Sequence, residues 1–327
     1  MKSVKKMSIF VVIAGLFIMG PVLARAEYPE REVILYCSSS AGGTTDLTLR
    51  YLSEPLSKTL GQPFMVVNKP GAGHVICATL VANSKPDGYS LGGVAGPAFT
   101  SVPNVRKVPY DIRRDFTYIA TCAAYTWGLT VRADAPWKTL EEFLDYAKKN
   151  PGKIIYSTDG HAGTAHIMME YLARKKGGID WKHVPYSGGA RNAPALLGGH
   201  VHAWGAAGTQ VQFIKDGKMR MLACFNETRQ KYAPDVPTLI ELGYVNHSID
   251  SPIVIVGPKG LPEPILKKLE AAYLKAMKDP AYDKFLEKLN MPPAILGAKE
   301  TTQSMEEKLN LWGEMARVTG IKEKEEK

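Results

Sequence analysis

The chain twice runs from an apolar strand through a turn rich in glycine and hydroxyl groups and then into a helix. In the first copy, residues 33–37 are the strand and residues 38–46 are the turn. In the second copy, residues 153–157 are the strand and residues 158–164 are the turn. Strands and helices that alternate at such short intervals are typical of a parallel sheet covered by helices. The sequence therefore predicts an α/β fold with one sheet in each half of the chain.

The first turn is suited to bind an anion. Gly42 and Gly43 let the backbone turn sharply, and the three residues after them suit the first turn of a helix. Free backbone amides at a helix start favour a carboxylate or a phosphate, which nearby hydroxyls would also hold. The ligand-binding residues predicted here are Ser39, Ser40, Gly42, Gly43, Thr44, Thr45 and Asp46. A plain connection between a strand and a helix explains the same residues equally well.

The second turn repeats this design. The ligand-binding residues predicted here are Thr158, Gly160, His161, Ala162, Gly163 and Thr164. His166 follows in the first turn of the next helix, where it either orients the loop or donates a hydrogen bond to the ligand directly. Two such turns, one in each half of the chain, would hold an elongated anion at both of its ends.

Two other segments are candidates for the wall of a ligand cleft. Ligands of open parallel sheets lie beyond the carboxyl ends of strands, so the loop after the strand at residues 89–94 is predicted to contribute Pro97 and Ala98. Trp204 stands between small residues, as the wall of a cleft would, and Gly205 would admit a ligand closely. Packing in the core explains Trp204 equally well, and packing is the favoured interpretation of Trp127.

Residues 1–26 are predicted to be a cleaved signal peptide. Lys2, Lys5 and Lys6 precede an apolar stretch at residues 7–22, and residues 24–26 form a small-x-small cleavage site. The apolar stretch is shorter than the roughly 20 residues that a membrane span needs. The remaining chain, residues 27–327, is therefore expected to be soluble and periplasmic.

The motifs of common enzyme classes are absent from the sequence. GxSxG, GxGxxG and the Walker P-loop do not occur, and the only SxxK spacing lies in the signal segment, so neither hydrolysis nor dinucleotide or ATP use is predicted. HExxH is also absent, and we predict no metal and no cofactor. The formal charge of +9 includes no basic stripe interleaved with aromatic residues, so nucleic acid is not predicted as a partner.

The four cysteines lie far apart in the sequence, among apolar neighbours. They are Cys37, Cys77, Cys122 and Cys224. This context favours buried thiols over a disulfide framework, although export would permit one disulfide.

Seven short motifs occur in one order along the chain. They are GGTTD (42–46), NKPGAG (68–73), PDGY (86–89), VPYD (108–111), HVPY (183–186), LLGGHV (196–201) and DVPT (235–238). Each motif is weak by itself, but together they resemble the extracytoplasmic solute receptors of tripartite tricarboxylate transporters, the Bug or TctC-like family. The resemblance covers essentially the whole chain after residue 26.

The resemblance implies a two-lobed periplasmic binding protein of type II, in which each lobe is a mostly parallel sheet flanked by helices and the ligand lies in the cleft between the lobes. Residues 27–123 and 251–327 would form the first lobe, and residues 124–250 the second. Such a receptor has no catalytic activity; it closes over a small carboxylate and delivers it to the small and large membrane subunits of the transporter. Asp46 and His166 match positions that the family places near the ligand.

Departures from the family pattern bear on the choice of ligand. Ser38 and Ser39 stand where the family commonly has Pro-Phe, and Ser187 replaces the usual Lys. After LLGGHV the family usually has an Asp, whereas this chain has His202 and then Trp204. These changes argue against an amino acid or a polar dicarboxylate as the ligand and favour an aromatic or apolar carboxylate. A periplasmic subunit that presents its ligand to a signalling kinase is the alternative function, and a monomer is expected in either case.

Overall fold

The computed structural model describes residues 28–186, 189–246 and 249–321, which form two β-sheets covered by helices. The first sheet contains β1 (Val33–Cys37), β2 (Phe64–Asn68), β3 (Ser90–Ala95), β4 (Phe116–Tyr125), β10 (Ser251–Pro258) and β11 (Pro293–Leu296). The second contains β5 (Trp127–Arg132), β6 (Ile155–Thr158), β7 (Lys182–Pro185), β8 (Ala203–Ala207) and β9 (Met219–Cys224). The predicted signal peptide and Ser187 lie outside the described residues.

Helices connect most of these strands and cover the sheets. They are α1 (Thr44–Leu60), α2 (Val75–Ala82), α3 (Val102–Val105), α4 (Leu140–Lys149), α5 (Thr164–Lys175), α6 (Gly189–Leu197), α7 (Gln210–Lys215), α8 (Glu263–Met277), α9 (Pro280–Lys288) and α10 (Ala298–Thr319). Helix α4 begins with the capping box that its sequence indicates, in which Thr139 and Glu142 exchange hydrogen bonds between side chain and backbone. None of the described helices is long and apolar enough to cross a membrane.

Each sheet contains both parallel and antiparallel strand pairs. The strand order is β11-β4-β10-β3-β1-β2 in the first sheet and β7-β6-β8-β5-β9 in the second. Strand β1 is parallel to β2 and β3, whereas β10 is antiparallel to β3 and β4. Strand β6 is parallel to β7 and β8, whereas β5 is antiparallel to β8 and β9. The predicted α/β fold with two helix-flanked sheets is confirmed, but the sheets are mixed rather than mostly parallel, because apolar patterns locate strands without giving their direction.

The chain passes between the two sheets at two places. Strand β4 ends at Tyr125 and β5 begins at Trp127, and the chain returns to the first sheet at β10. These crossings support the lobes given above, residues 27–123 with 251–327 and residues 124–250, which we retain as a proposal. Helix α10 complicates this division, because Trp312 and Met315 pack in the core of the second half.

All four cysteines are buried and free, which confirms the interpretation of them as buried thiols. Cys37 and Cys122 belong to the core around the first sheet. Cys77 lies in a second cluster beneath α2, where its thiol donates to the carbonyl of Tyr36.

Candidate functional site

A cavity of about 300 Å³ lies where the two sheets meet. The first sheet contributes Ala95, Tyr125 and Ser251 to its wall, and the second contributes Trp127, Thr158 and Ala207. The remaining lining residues come from loops and helix ends: Gly73, His74, Pro97, Ser101, Val102, Asp159, Gly160, Gly163, Thr164, Ala165 and His166.

Two larger clefts lie elsewhere on the molecule. One, of about 550 Å³, is formed by α8 and α9, and the other, of about 460 Å³, lies beside β4 and α10. No residue of the second sheet lines either of them. Binding sites occur preferentially where two structural units meet, so the 300 Å³ cavity is the candidate site.

The first turn is held in shape by hydrogen bonds to the carboxylate of Asp46. The Gly42 amide donates to Asp46 Oδ2 over 2.9 Å, and Nδ2 of Asn68 donates to Asp46 Oδ1 over 2.8 Å. Arg50 also donates to this carboxylate, which is 1 % exposed. Burial by itself would raise the pKa of Asp46, but the hydrogen bonds from Arg50, Gly42 and Asn68 outweigh it and hold the pKa below its usual value. The carboxylate of Asp46 therefore fixes the turn before α1, but it does not cap the helix, because the N-cap Gly43 has no side-chain cap.

The predicted residues of the first turn do not line the cavity. This holds for Ser39, Ser40, Gly42, Gly43, Thr44, Thr45 and Asp46. Thr45 reaches the cavity wall indirectly, since its hydroxyl is hydrogen-bonded to that of Tyr125. Direct contact between these residues and a ligand stays a prediction.

The second turn opens onto the cavity. Six predicted residues meet there: Pro97, Thr158, Gly160, Gly163, Thr164 and His166. Helix α5 begins at Thr164, and Gly163 at its N-cap provides no side-chain cap. The hydroxyl of Thr164 lies 3.4 Å from that of Ser101, which belongs to the first half of the molecule. The two halves thus approach each other at the start of a helix whose first amides favour an anion.

The other predicted residues of the second half and the Pro97 loop lie behind the cavity wall or outside it. Ala98 and Ala162 are buried and His161 is exposed, and none of them lines the cavity. Ala162 has a left-handed backbone with φ of +54°, which is unusual for a residue other than glycine. Its amide donates to Nδ1 of His166 over 3.0 Å, so His166 orients the turn, as one of its two predicted roles requires.

Trp204 and Gly205 serve packing in this structure. Trp204 is fully buried in a cluster that includes Leu196, and it does not line the cavity. A Cβ on Gly205 would lie only 2.9 Å from the Cβ of Ala165, so the glycine admits helix α5 rather than a ligand. Trp127 packs in the core of the second half and also lines the cavity, so packing describes only part of its surroundings.

Three histidines cluster behind the second turn, which the sequence spacing did not reveal. The candidate ligand nitrogens of His161, His166 and His183 all lie within 4.8 Å of one another, and the rings of His166 and His183 stack 3.8 Å apart. Nδ1 of His166 accepts from a backbone amide, so the neutral ring carries its proton on Nε2 and has no free lone pair for a metal. The Thr158 hydroxyl donates to the carbonyl of Gly160 and so accepts from Nε2 of His183. The hydrogen bonds favour a structural role for the cluster.

Burial keeps two of these rings neutral. It lowers the pKa of His166 to about 3, and the nearby imidazoles of His183 and His161 add to the effect. Burial likewise lowers the pKa of His183 to about 4, with a smaller contribution from His161. At neutral pH, His166 therefore presents an N–H donor at its Nε2 edge, and this side chain lines the cavity.

Asp159 is the one acid among the described residues that line the cavity, and it is not among the residues predicted from the sequence. Nδ2 of Asn192 donates to its Oδ1 over 2.8 Å. Burial raises the pKa of Asp159 to about 6, and the side chains of Trp204 and Asn192 offset part of that rise. The sequence does carry one sign of its role: Asp159 is the one acid in the glycine-rich turn at residues 158–164, whose other residues are predicted to bind the ligand.

Several other lining residues were not predicted as ligand-binding. They are Gly73, His74, Ala95, Ser101, Val102, Tyr125, Ala165, Ala207, Ser251 and, as noted above, Trp127. Most of them lie at the end of a strand or at the start of a helix, and apart from Gly73 in the NKPGAG motif they belong to none of the seven motifs. Only the folded arrangement brings them to one cavity.

Comparisons with known proteins point to one family. The family model described as tripartite tricarboxylate transporter family receptor, TctC, matches residues 48–321. A UPF0065 protein in the gbd 5′ region of Cupriavidus necator is 40 % identical over 284 residues, which is 86 % of each chain.

Solved structures agree with the family match. A TctC solute binding protein from Polaromonas has a TM-score of 0.78 and 32 % identity, and the match covers 89 % of this chain and 99 % of that chain. The R. palustris protein Rpa4515 with adipate has a TM-score of 0.76 and 25 % identity, with 90 % and 99 % of the two chains covered.

Removal of the Asp46 carboxylate is expected to affect stability more than binding. Asp46→Ala should lower the free energy of unfolding by about 1–3 kcal/mol, because the Gly42 amide and Asn68 lose a buried acceptor. Ligand affinity should stay close to that of the wild type. Urea unfolding and titration calorimetry measure the two quantities. Asp134→Ala, which removes an exposed acid paired with Arg132, is the matched control and should have little effect. Lost affinity at unchanged stability would instead support direct ligand contact by Asp46.

Relief of the left-handed backbone at Ala162 should stabilise the protein. Ala162→Gly is expected to raise the free energy of unfolding by up to about 1 kcal/mol, because glycine adopts positive φ without a Cβ clash. The same substitution at Ala173, within α5, should lower it by about 1 kcal/mol or more. Urea unfolding of both variants tests the pair of opposite signs. Loss of stability in both would contradict the assignment of strain to Ala162.

The histidine cluster should make stability depend on pH. An unfolded histidine titrates near pH 6.5, whereas folded His166 stays neutral down to about pH 3. The unfolded chain therefore binds more protons, and stability falls as the pH drops from 6.5 toward 3. His166→Asn keeps an acceptor for the Ala162 amide and removes this titration, so the melting temperature should fall less between pH 7 and pH 4.5. His200→Asn, at an exposed histidine outside the cluster, is the control; an equal change in both variants would contradict the assignment.

Proposed function

Because this chain belongs to the tripartite tricarboxylate transporter receptor family, whose members here are solute-binding proteins and not enzymes, we propose that it captures a small carboxylate between its two halves and delivers it to a membrane transporter. The partners in delivery would be the small and large membrane subunits of a tripartite transporter. Residues 1–26 would direct export to the periplasm and be removed there, and the mature receptor would act as a monomer.

The start of helix α5 is the observation that carries this proposal. Gly163 and Thr164 line the cavity, and no side chain caps the first turn of the helix. A carboxylate placed there would accept from the first backbone amides and from the hydroxyl of Thr164. The Nε2–H group of His166 offers a further donor nearby. This arrangement binds an anion without a catalytic group.

Closure follows from the position of the cavity between the halves. A ligand at Thr164 would also contact residues of the first half, such as Ser101 and Pro97. A ligand that touches both halves binds the closed arrangement better than the open one and therefore shifts the population toward closure. The loaded receptor would then be closed and the empty receptor open, and a membrane partner would recognise the loaded one by that difference in shape.

The size of the cavity suits a small ligand. A volume of about 300 Å³ is at the lower end of the range for small-molecule sites. The relative Rpa4515 was solved with adipate, a small dicarboxylate. The preference for an aromatic or apolar carboxylate was inferred from Trp204, which does not line the cavity; Tyr125 and Trp127 are the aromatic residues that do. Aromatic carboxylates therefore remain one arm of the test.

Thermal-shift and calorimetric titrations of residues 27–327 against aliphatic and aromatic mono-, di- and tricarboxylates test the proposal. A specific ligand at 100 times its dissociation constant should stabilise the folded protein by about 2.7 kcal/mol, since only the folded form binds. Ala207→Phe would place a ring in the cavity and should abolish the shift, whereas Ala281→Phe, at an exposed site on α9, should preserve it. A flat response to every carboxylate, or a shift that survives Ala207→Phe, would contradict the proposal.

A further inference from the structure

The hydrogen-bonding groups of the cavity wall do not match a ligand that carries carboxylates alone. Among the described residues that line the cavity there is no Lys or Arg, and Asp159 is the one acidic side chain. Arg106 lies beside the lining residue Gly73, but its guanidinium donates to the carbonyl of Ala72. The lining residues themselves therefore offer an anion neutral donors, near the start of α5.

His74 adds an acceptor from the first half of the molecule. Its Nδ1 lies 3.0 Å from the carbonyl oxygen of Ser38, and a carbonyl oxygen only accepts. Nδ1 therefore carries the proton, and Nε2 keeps its lone pair. Burial lowers the pKa of His74, so the ring stays neutral at physiological pH. His74 is one of the lining residues, so it brings a neutral ring with an acceptor at Nε2 to the cavity wall rather than a positive charge.

Asp159 adds a stronger acceptor from the second half. Asp159 is one of the lining residues, and its carboxylate accepts from Asn192 at Oδ1 and lies near the side chain of Trp204. Its pKa of about 6, raised by burial, leaves the carboxylate largely ionised at pH 7.5. A ligand anion placed against an ionised, half-buried carboxylate is repelled, whereas an ammonium group makes a charge-assisted hydrogen bond with it.

We propose that the ligand is an amino carboxylate, whose carboxylate binds at the start of α5 and whose ammonium group donates to Asp159. This inference rests on the proposed function and narrows its substrate class. The carboxylate of such a ligand matches the donors at Thr164, and its ammonium group matches the acceptor at Asp159. These two residues lie five positions apart in the second turn. Nε2 of His74 is the acceptor for a further N–H of the ligand from the opposite half. Asp159 thereby acts as the residue that selects for the amine.

Matched ligand pairs test this assignment by titration calorimetry at pH 7.5. Each pair differs only in the amino group: glutamate with glutarate, 4-aminobutyrate with butyrate, and phenylalanine with 3-phenylpropionate. The wild-type protein should bind the amino member of at least one pair at least about tenfold more tightly, as a charge-assisted hydrogen bond predicts. In Asp159→Asn, which keeps an oxygen that accepts from Asn192, this preference should disappear or reverse. Asp180→Asn, at an exposed acid, is the matched control and should keep it.

The outcomes separate this inference from the proposed function. Tighter binding of the members without an amino group would overturn the amino-carboxylate assignment and leave the carboxylate receptor standing. The same holds if glutarate binds with uptake of one proton, measured by titration in buffers of different ionisation enthalpy, because Asp159 would then be protonated and donate to the ligand. An equal loss for both members of a pair in Asp159→Asn would assign that residue a structural role only. If no member of any pair binds and the carboxylate screen is also flat, both proposals fail together.

Discussion

The buried crossing of the chain at Thr126 is the constraint on which the site depends. Thr126 is 1 % exposed, so the polar groups around it need partners within the protein. Its hydroxyl donates to the carbonyl of Asn290, the Trp127 amide donates to Oδ1 of Asn226, and Nδ2 of Asn226 donates to the carbonyl of Tyr125. These bonds fix the backbone between the two sheets. Because Tyr125 and Trp127 flank the crossing and line the cavity, the same bonds set the geometry of the site.

The two glycine-rich turns look alike in sequence and in local structure but differ in their surroundings. At α1, the N-cap Gly43 has no side-chain cap, and the carboxylate of Asp46 accepts from the Gly42 amide and from Asn68. At α5, the corresponding turn provides no side-chain cap, and its residues line the cavity. The hydrogen bond from Ala162 to His166 holds that turn in shape. Neither helix start has a side-chain cap, but only the second turn lines the cavity, so the free amides of α5 are the ones within reach of a ligand there.

The character of the cavity follows from what surrounds it rather than from net charge. The sequence is basic, with a formal charge of +9, yet no described lining residue is a Lys or an Arg. Anion binding in such a site depends on oriented N–H and O–H groups, whose effect is larger when water is excluded. The same exclusion of water raises the pKa of Asp159 and lowers that of His166. Burial therefore keeps His166 neutral and leaves Asp159 as the single acid among the described residues of the wall.

The sequence by itself determined the local elements and the family. The apolar run at Val33–Cys37 is a strand over the predicted residues, and the family that the seven motifs resemble is matched by a family model over residues 48–321. Six of the predicted site residues line the cavity, because glycines and hydroxyls at a helix start are a local signal. Strand direction, the edge strand Pro293–Leu296, the burial of Trp204 and the placement of Asp159 and His74 were decided only by the tertiary structure. These depend on which distant segments pack together, and residue patterns along one segment carry no record of that choice.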